Sequence, residues 1–214
     1  MKTVACIPIK GNSKRIKNKN IKLINKKSLF KYLLEKISYC NFDDIYVDTD
    51  INLVKKFAID KGFKIINRKP FLKTDDANGN DLLNYHSKII DADIYFQLFV
   101  TSPLLSINTI NKCIKIMKTY KQYDSIFTAT KIYSWFWLKN KPINYNPKIL
   151  PRSQDARPII METTGLYGIR KKTLKKLNCR IGKKPYMYFL NDPKEILDID
   201  NKEDIDYFKY LLKK

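Results

Sequence analysis

Two kinds of apolar segment alternate through the first part of the chain, and that alternation limits the fold more than any other feature. Short runs rich in β-branched residues, "TVACIPI", "DIYVDTD", "FKIINR", "DIYFQLFV" and "DSIFTATKI", have the length and composition of buried strands. Between them lie segments with apolar residues at helical spacing. "SLFKYLLEKISYC" sets Leu29, Leu33, Leu34 and Ile37 on one face behind a candidate N-cap at Ser28. "INLVKKFAIDKG" closes at Gly62, and "DLLNYHSKIID" and "NTINKCIKIMKTY" repeat the pattern. Such strand–loop–helix order predicts a mostly parallel, doubly wound α/β sheet with helices on both faces. Ligands in these sheets lie beyond the carboxyl ends of the strands. The Lys10–Asn20 loop, the polar turn at 75–81 and Thr101-Ser102-Pro103 are therefore the segments where function is expected.

From Tyr133 to Pro158 the pattern breaks into an aromatic, proline-rich stretch that reads as a hairpin arm inserted in the main sheet. "TTGLYGIRKKTL" then resumes strand and helix, "YMYFL" is a strand, and "EILDIDNKEDIDYFKYLLKK" reads as a strand entering a terminal helix. Neither an internal repeat nor a linker is visible, so residues 1–214 are expected to form one domain, with 133–158 as the insertion. The 44% hydrophobic content is enough for one well-cored domain of this size.

The net charge of +21 invites a nucleic-acid or anionic partner. Lysine, asparagine and isoleucine are abundant throughout, however, so the charge fits a compositional bias combined with a small anionic substrate. A basic nucleic-acid-binding protein is the rival class, and no RNP, zinc-finger or helix-turn-helix signature supports it. No run of about 18 apolar residues predicts a transmembrane helix. The N-terminus has too short an apolar core for a signal peptide. Cys6, Cys40, Cys113 and Cys179 lack ligand spacing, which fits reduced structural thiols and a cytoplasmic location.

Three stretches carry chemistry. The first loop places Gly11, Ser13, Lys14, Arg15, Lys19 and Asn20 after a strand. It is neither a Walker loop nor GxGxxG, yet amides, a hydroxyl and flanking cations are the components that hold a polyphosphate. A solvated basic turn is the plain alternative. In "EILDID", strand alternation would point Asp198 and Asp200 away from Leu197 and Ile199. Paired carboxylates in so basic a chain suit a hard cation such as Mg²⁺, or else the N-cap of the last helix. "ANGND" offers amides at Asn78, Gly79 and Asn80 to a base or sugar edge, or simply caps the following helix. The one histidine, His86, sits mid-helix among apolar residues and reads as structural.

Together these stretches resemble the acylneuraminate cytidylyltransferases, the CMP-sugar-acid synthetases that transfer a cytidylyl group from CTP. The family opening P-A-R-G-G-S-K-R-I-P-x-K-N is matched by Pro8-Ile9-Lys10-Gly11-Asn12-Ser13-Lys14-Arg15-Ile16-Lys17-Asn18-Lys19-Asn20. Asp48-Thr49-Asp50 looks like its S-T-D, "TDDANGNDLL" its S-D-T-A-S-S-x-D-V and "TSPLL" its T-S-P-L. "QD" resembles the R-Q-D region, "ETTGLYGI" the E-N-G-A-I-Y-I stretch and "LDIDNKEDID" the terminal D-I-D-T-x-E-D.

The resemblance implies a nucleotidyltransferase (Rossmann-like) fold whose inserted arm makes a homodimer, and a CMP-sugar synthetase for surface-glycan biosynthesis. It assigns Lys10, Gly11, Asn12, Ser13, Lys14, Asn20 and Asn78 to the nucleotide. Lys10 and Lys14 would neutralise the leaving pyrophosphate, and Asp198 and Asp200 would carry Mg²⁺, with Asp200 among the catalytic groups. Phe99, Thr101, Ser102, Gln154 and Glu162 fall on the acceptor side. Several positions depart from the pattern. Lys10 replaces an arginine, Asn12 a glycine, Phe99 a glutamine and Val100 a proline, and Glu162 stands one residue farther from its glycine. These changes cluster toward the acceptor, and they leave a phosphonate or phosphate acceptor open beside a nonulosonic 2-keto sugar acid. No side chain presents itself as a general base.

Overall fold

Strand formation follows directly from the β-branched runs, which are buried on both faces where they sit mid-sheet. The computed structural model describes residues 1–13, 15–74 and 76–213; Lys14, Asp75 and Lys214 lie outside the described residues. The strands are β1 (Thr3–Ile9), β2 (Leu23–Ile24), β3 (Lys27–Ser28), β4 (Asp44–Thr49), β5 (Lys64–Asn67) and β6 (Ile94–Leu98). They continue with β7 (Ser125–Ile132), β8 (Trp137–Leu138), β9 (Lys141–Pro142), β10 (Ile159–Arg170) and β11 (Pro185–Phe189). The helices are α1 (Leu29–Ile37), α2 (Asn52–Asp60), α3 (Gly79–Ile89), α4 (Ile107–Thr119), α5 (Lys171–Leu177) and α6 (Lys202–Leu211).

Seven strands form the main sheet in the order β11-β7-β10-β6-β1-β4-β5. All its pairings are parallel except those of β10, which runs antiparallel to both β6 and β7. The mostly parallel, doubly wound sheet expected from the sequence is therefore present. Alternate residues of β1 show the two faces. Ala5, Ile7 and Ile9 pack with α1, α2 and α4, whereas Val4 and Cys6 pack with Leu83 of α3 and Leu174 of α5. After β1 the chain moves outward through β4 and β5, then returns to place β6 on the other side of β1. That reversal opens a crevice beyond the carboxyl ends of β1 and β6.

One expected element is different. "EILDID" does not join the sheet: Pro193–Ile196 is a 3-10 turn and the residues after it are extended without a ladder. Its alternation survives. Leu197 and Ile199 are buried against Ile16, Leu29 and Phe208, which leaves the aspartates on the other side. Among the described residues one backbone bond, Ile199 N–H to Thr101 O at 2.7 Å, ties this segment to the loop after β6.

Residues 133–158 do leave the sheet, as an aromatic segment containing the β8–β9 hairpin. Buried Asn144 closes its base. Its side chain accepts from Phe136 N–H and donates to the carbonyls of Ser134 and Arg157.

The loop after β6 is held from beneath by Lys36, whose ammonium donates to Pro103 O at 2.5 Å and Leu105 O at 2.9 Å. Burial pushes this amine down to about 8, with Glu195 pulling weakly the other way. Between about pH 8 and the ordinary value of 10.5, the unfolded chain holds this proton and the folded chain does not. Stability must then rise with pH through that window, and the cost of burying the charge is present in full below it. The unfolding free energy of the wild type relative to Lys36→Met should accordingly increase between pH 7 and pH 10 in urea titrations. A pH-independent difference would contradict the buried amine.

Candidate active site

The crevice is a cleft of about 380 Å³. The first loop contributes Lys10, Ser13, Arg15, Lys19 and Asn20 to its lining. The start of α3 adds Asn78 and Gly79, and the end of β6 adds Phe99, Val100 and Thr101. Arg68, at the end of β5, faces it from below.

The loop is shaped by two clips. Gly11 N–H donates to Asp50 Oδ1 at 2.8 Å, and Asn20 Nδ2 donates to Lys10 O at 2.8 Å. Gly11 and Asn20, both expected at the nucleotide, thus have structural partners, and Gly11 and Asn12 are absent from the cleft lining. Lys14, the other cation assigned to the pyrophosphate, lies outside the described residues. Asn78 is the N-cap of α3. Its Oδ1 accepts from the amides of Asn80 and Asp81 while Asp81 returns a bond to Asn78 N–H. Capping and cleft-lining are therefore both true of this residue, and its Nδ2 is not engaged in the cap.

Of the two C-terminal carboxylates Asp200 meets this same loop, although neither it nor Asp198 lines the cleft itself. Asp200 pairs with Lys19 at 3.0 Å and with Arg15 at 2.8 Å, and Lys19 also donates to Ile199 O. Asp200 does not cap α6: Asn201 does, in a capping box with Asp204. Asp198 Oδ2 accepts from Thr164 Oγ1 at 2.7 Å, whereas Asp198 Oδ1 is buried with no hydrogen-bond partner among the described residues. An unpaired buried carboxylate oxygen is costly unless something positive reaches it. Mg²⁺ is commonly held by one or two carboxylates with water and substrate phosphates completing its shell. The residues fit such an ion through Asp198, with Asp200 shared with the two cations. Among the described residues no cluster of three or more acidic, histidine or cysteine side chains offers an all-protein cage.

The acceptor-side residues separate. Thr101 and Phe99 line the cleft, and Ser102 is buried behind it, close against Gly165. Glu162 accepts from Tyr167 OH on β10. Burial, reinforced by that hydrogen bond, pushes the Tyr167 phenol up, so it remains a donor. Gln154 is exposed on the 3-10 turn Ser153–Asp155 and does not line the cleft. The longer Glu162-to-glycine spacing coincides with a lost register between Glu162 and Tyr167. That irregularity carries Thr164, the partner of Asp198, as irregular strand segments beside functional sites often do.

Beneath the cleft lies a network that the sequence did not announce. Asp48 Oδ1 and Oδ2 take Arg68 Nε at 3.0 Å and Nη2 at 3.3 Å, and His86 Nε2 lies 2.8 Å from Asp48 Oδ2. All three residues are buried. Burial pushes the Asp48 carboxyl up, but His86 and Arg68 together outweigh it and hold it below its ordinary value. His86 is structural, as its helical setting suggested, and its partners come from strands distant in sequence.

Residues 4–214 match the family model described as Cytidylyltransferase. The chain belongs to the cytidylyltransferase family. It is 27% identical over 213 residues to N-acylneuraminate cytidylyltransferase A of Danio rerio, covering 95% of this chain and 48% of that protein. It is 26% identical over 215 residues to the N-acylneuraminate cytidylyltransferase of Streptococcus agalactiae serotype III, covering 95% and 52%. This family member thus spans about half the length of these curated relatives. Its fold is similar to that of CMP:2-keto-3-deoxy-manno-octonic acid synthetase complexed with CTP. The TM-score is 0.72 at 17% identity, over 100% of this chain and 99% of that one. The resemblance read from the loop and terminal motifs is borne out at the level of the family.

Removing the carboxylate of Asp48 would leave Arg68 buried without its counter-ion. Asp48→Ala should lower the unfolding free energy by about 3–5 kcal/mol, the usual consequence of breaking a buried pair on one side. Denaturant titration measures this directly, and a loss under about 1 kcal/mol would mean that water replaces the network.

Proposed function

We propose that this chain transfers a cytidylyl group from CTP to a small acidic sugar of the 2-keto type, with release of pyrophosphate. The observation that carries the reading is the pairing of Asp200, near the C-terminus, with Arg15 and Lys19, two first-loop cations that line the cleft beyond β1 and β6. An acceptor oxygen attacks the α-phosphorus, negative charge grows on phosphate oxygens, and fixed cations and amides aimed there lower the barrier. Lys10, Arg15 and Ser13 face that charge from the loop, with Lys14 assigned to it by the family motif. Arg68 adds a cation preorganised by Asp48. The amides at the start of α3 suit the nucleoside. Asp198 and Asp200 would hold Mg²⁺, and the ion would supply positive charge to the phosphate oxygens. Thr101 and Phe99 line the cleft on the side the family motif assigns to the acceptor, and Glu162 lies outside that lining.

Pyrophosphate release measured with CTP, Mg²⁺ and a panel of 2-keto sugar acids, phosphonates and polyol phosphates tests the reading. Turnover is expected with a sugar acid, and CTP should be preferred over other nucleoside triphosphates. Release with a phosphonate alone would move the acceptor class, and steeply salt-dependent nucleic-acid binding without any release would favour the rival class. Asp200→Asn should reduce turnover by about 10²-fold or more at saturating Mg²⁺. Normal turnover in that variant would remove Asp200 from the catalytic groups.

The arm between Tyr133 and Pro158 supports a homodimer. Tyr133, Trp137, Leu138, Ile149 and Leu150 all expose most of their surface, and Ile149 is 75% exposed. Apolar area of this kind marks an interaction surface. Ile149→Glu should shift the sedimenting species toward monomer at micromolar concentration, with helical content unchanged. An unshifted dimer would place the contact elsewhere.

A further inference from the structure

An arginine outside the family motifs stands behind the cleft wall, against its lining residues Phe99 and Gly79. Arg180 follows α5, and its backbone N–H donates to Asn80 Oδ1 at 2.9 Å. Its guanidinium carbon sits 3.5 Å from the centroid of the Tyr167 ring and 5.7 Å from that of Phe99. Nη1 donates to Gln97 Oε1 at 3.2 Å. Gln97 is fully buried, and its Nε2 donates to Gly79 O at 2.9 Å, which fixes Oε1 toward the arginine. The group is thus held in place by a ring, a buried amide and its own backbone. A Cβ on Gly79 would lie 2.3 Å from Arg180 Nη1, so glycine there makes room for the guanidinium beside the nucleotide turn.

What Arg180 lacks is a good anion. Its acidic neighbour is Glu162, with Nη2 3.8 Å from Oε1, beyond hydrogen-bond length, and that oxygen already accepts from Tyr167. Of the five N–H donors, one makes a side-chain hydrogen bond among the described residues. The Arg180 side chain is 22% exposed against 41% for Glu162, so Glu162 is the more hydrated member of this loose pair.

We infer that Arg180 is the specificity residue for the acceptor, binding its carboxylate on the platform made by Tyr167 and Gln97 in place of Glu162. A planar guanidinium matches a carboxylate with two parallel hydrogen bonds, and a stacked, immobilised one loses little freedom in forming them. This deepens the proposed transfer reaction by naming the group of the acceptor that the chain reads. Phe99, standing where related sequences have an amide, offers no polar group here, and Arg180 lies directly behind it.

The test measures binding and turnover separately. N-acetylneuraminate, 2-keto-3-deoxy-manno-octonate and the C1 carboxamide of each are titrated calorimetrically into the full chain loaded with α,β-methylene-CTP and Mg²⁺. Wild type should bind at least one acid more tightly than its amide. Arg180→Met should weaken the acid by at least ~30-fold, as loss of one member of a desolvated charge pair does. The amide and the nucleotide should stay within about twofold, because neither pairs with this guanidinium. Arg180→Lys, which keeps the charge and loses the fork, should fall between and carries the test if the methionine variant melts early. In turnover, KM for the acid should rise with kcat little changed. Equal affinity of wild type and Arg180→Met for both acids, negligible binding by both included, overturns the assignment. So does an equal loss for acid and amide. Arg180-dependent acid binding without pyrophosphate release would instead sink the transfer reading and leave this one standing.

Discussion

Asp200 joins the two ends of the chain at the cleft, and the rest of the site is arranged around that join. The first loop concentrates cations that repel one another, in a chain whose net charge is already +21. Asp200 meets two of them, Arg15 and Lys19, and the Lys19 side chain is only 12% exposed. A charge so shielded is weakly screened by salt and needs its partner. The Asp200 side chain is 35% exposed and faces two cations, so positive charge remains in excess beside it. That excess is what a polyphosphate would complete. The Asp50 and Asn20 clips fix the loop backbone, so the cations are presented by a preorganised frame.

Below and beside the loop, the walls are built from polar groups that depend on one another. Asp48 orients Arg68 and is itself steadied by His86, whose Nδ1 has no hydrogen-bond partner among the described residues. Gln97 links the backbone at Gly79 to Arg180, and the irregular stretch of β10 delivers Thr164 to Asp198. Buried polar groups are tolerable only when paired, so each such link constrains its neighbours. The regular sheet supplies the position, and the departures from regularity supply the chemistry.

Much of this was legible from residue order. The apolar periodicities gave the strands and helices, and the loop and terminal motifs gave the family. The alternation at Leu197–Asp200 was read correctly even though its strand was not. That segment lies beyond the carboxyl end of β6, a mid-sheet strand, where Ile199 N–H meets Thr101 O. His86 read as structural from its apolar setting, but nothing local pointed to Asp48 or Arg68. Nothing in the sequence around Arg180 marks it, because a lone arginine after a lysine-rich helix looks like one more surface cation.

Local sequence therefore determined which segments become strands and helices, and which short motifs carry charge, because periodicity and turn chemistry act over a few residues. Only the tertiary structure decided which charges are paired. Asp200 with Lys19, Asp48 with Arg68 and His86, and Gln97 with Arg180 are contacts across 20 to 181 residues of chain. Whether a carboxylate or a guanidinium is satisfied depends on what the folded chain brings within about 3 Å of it, and spacing along the sequence does not encode that distance.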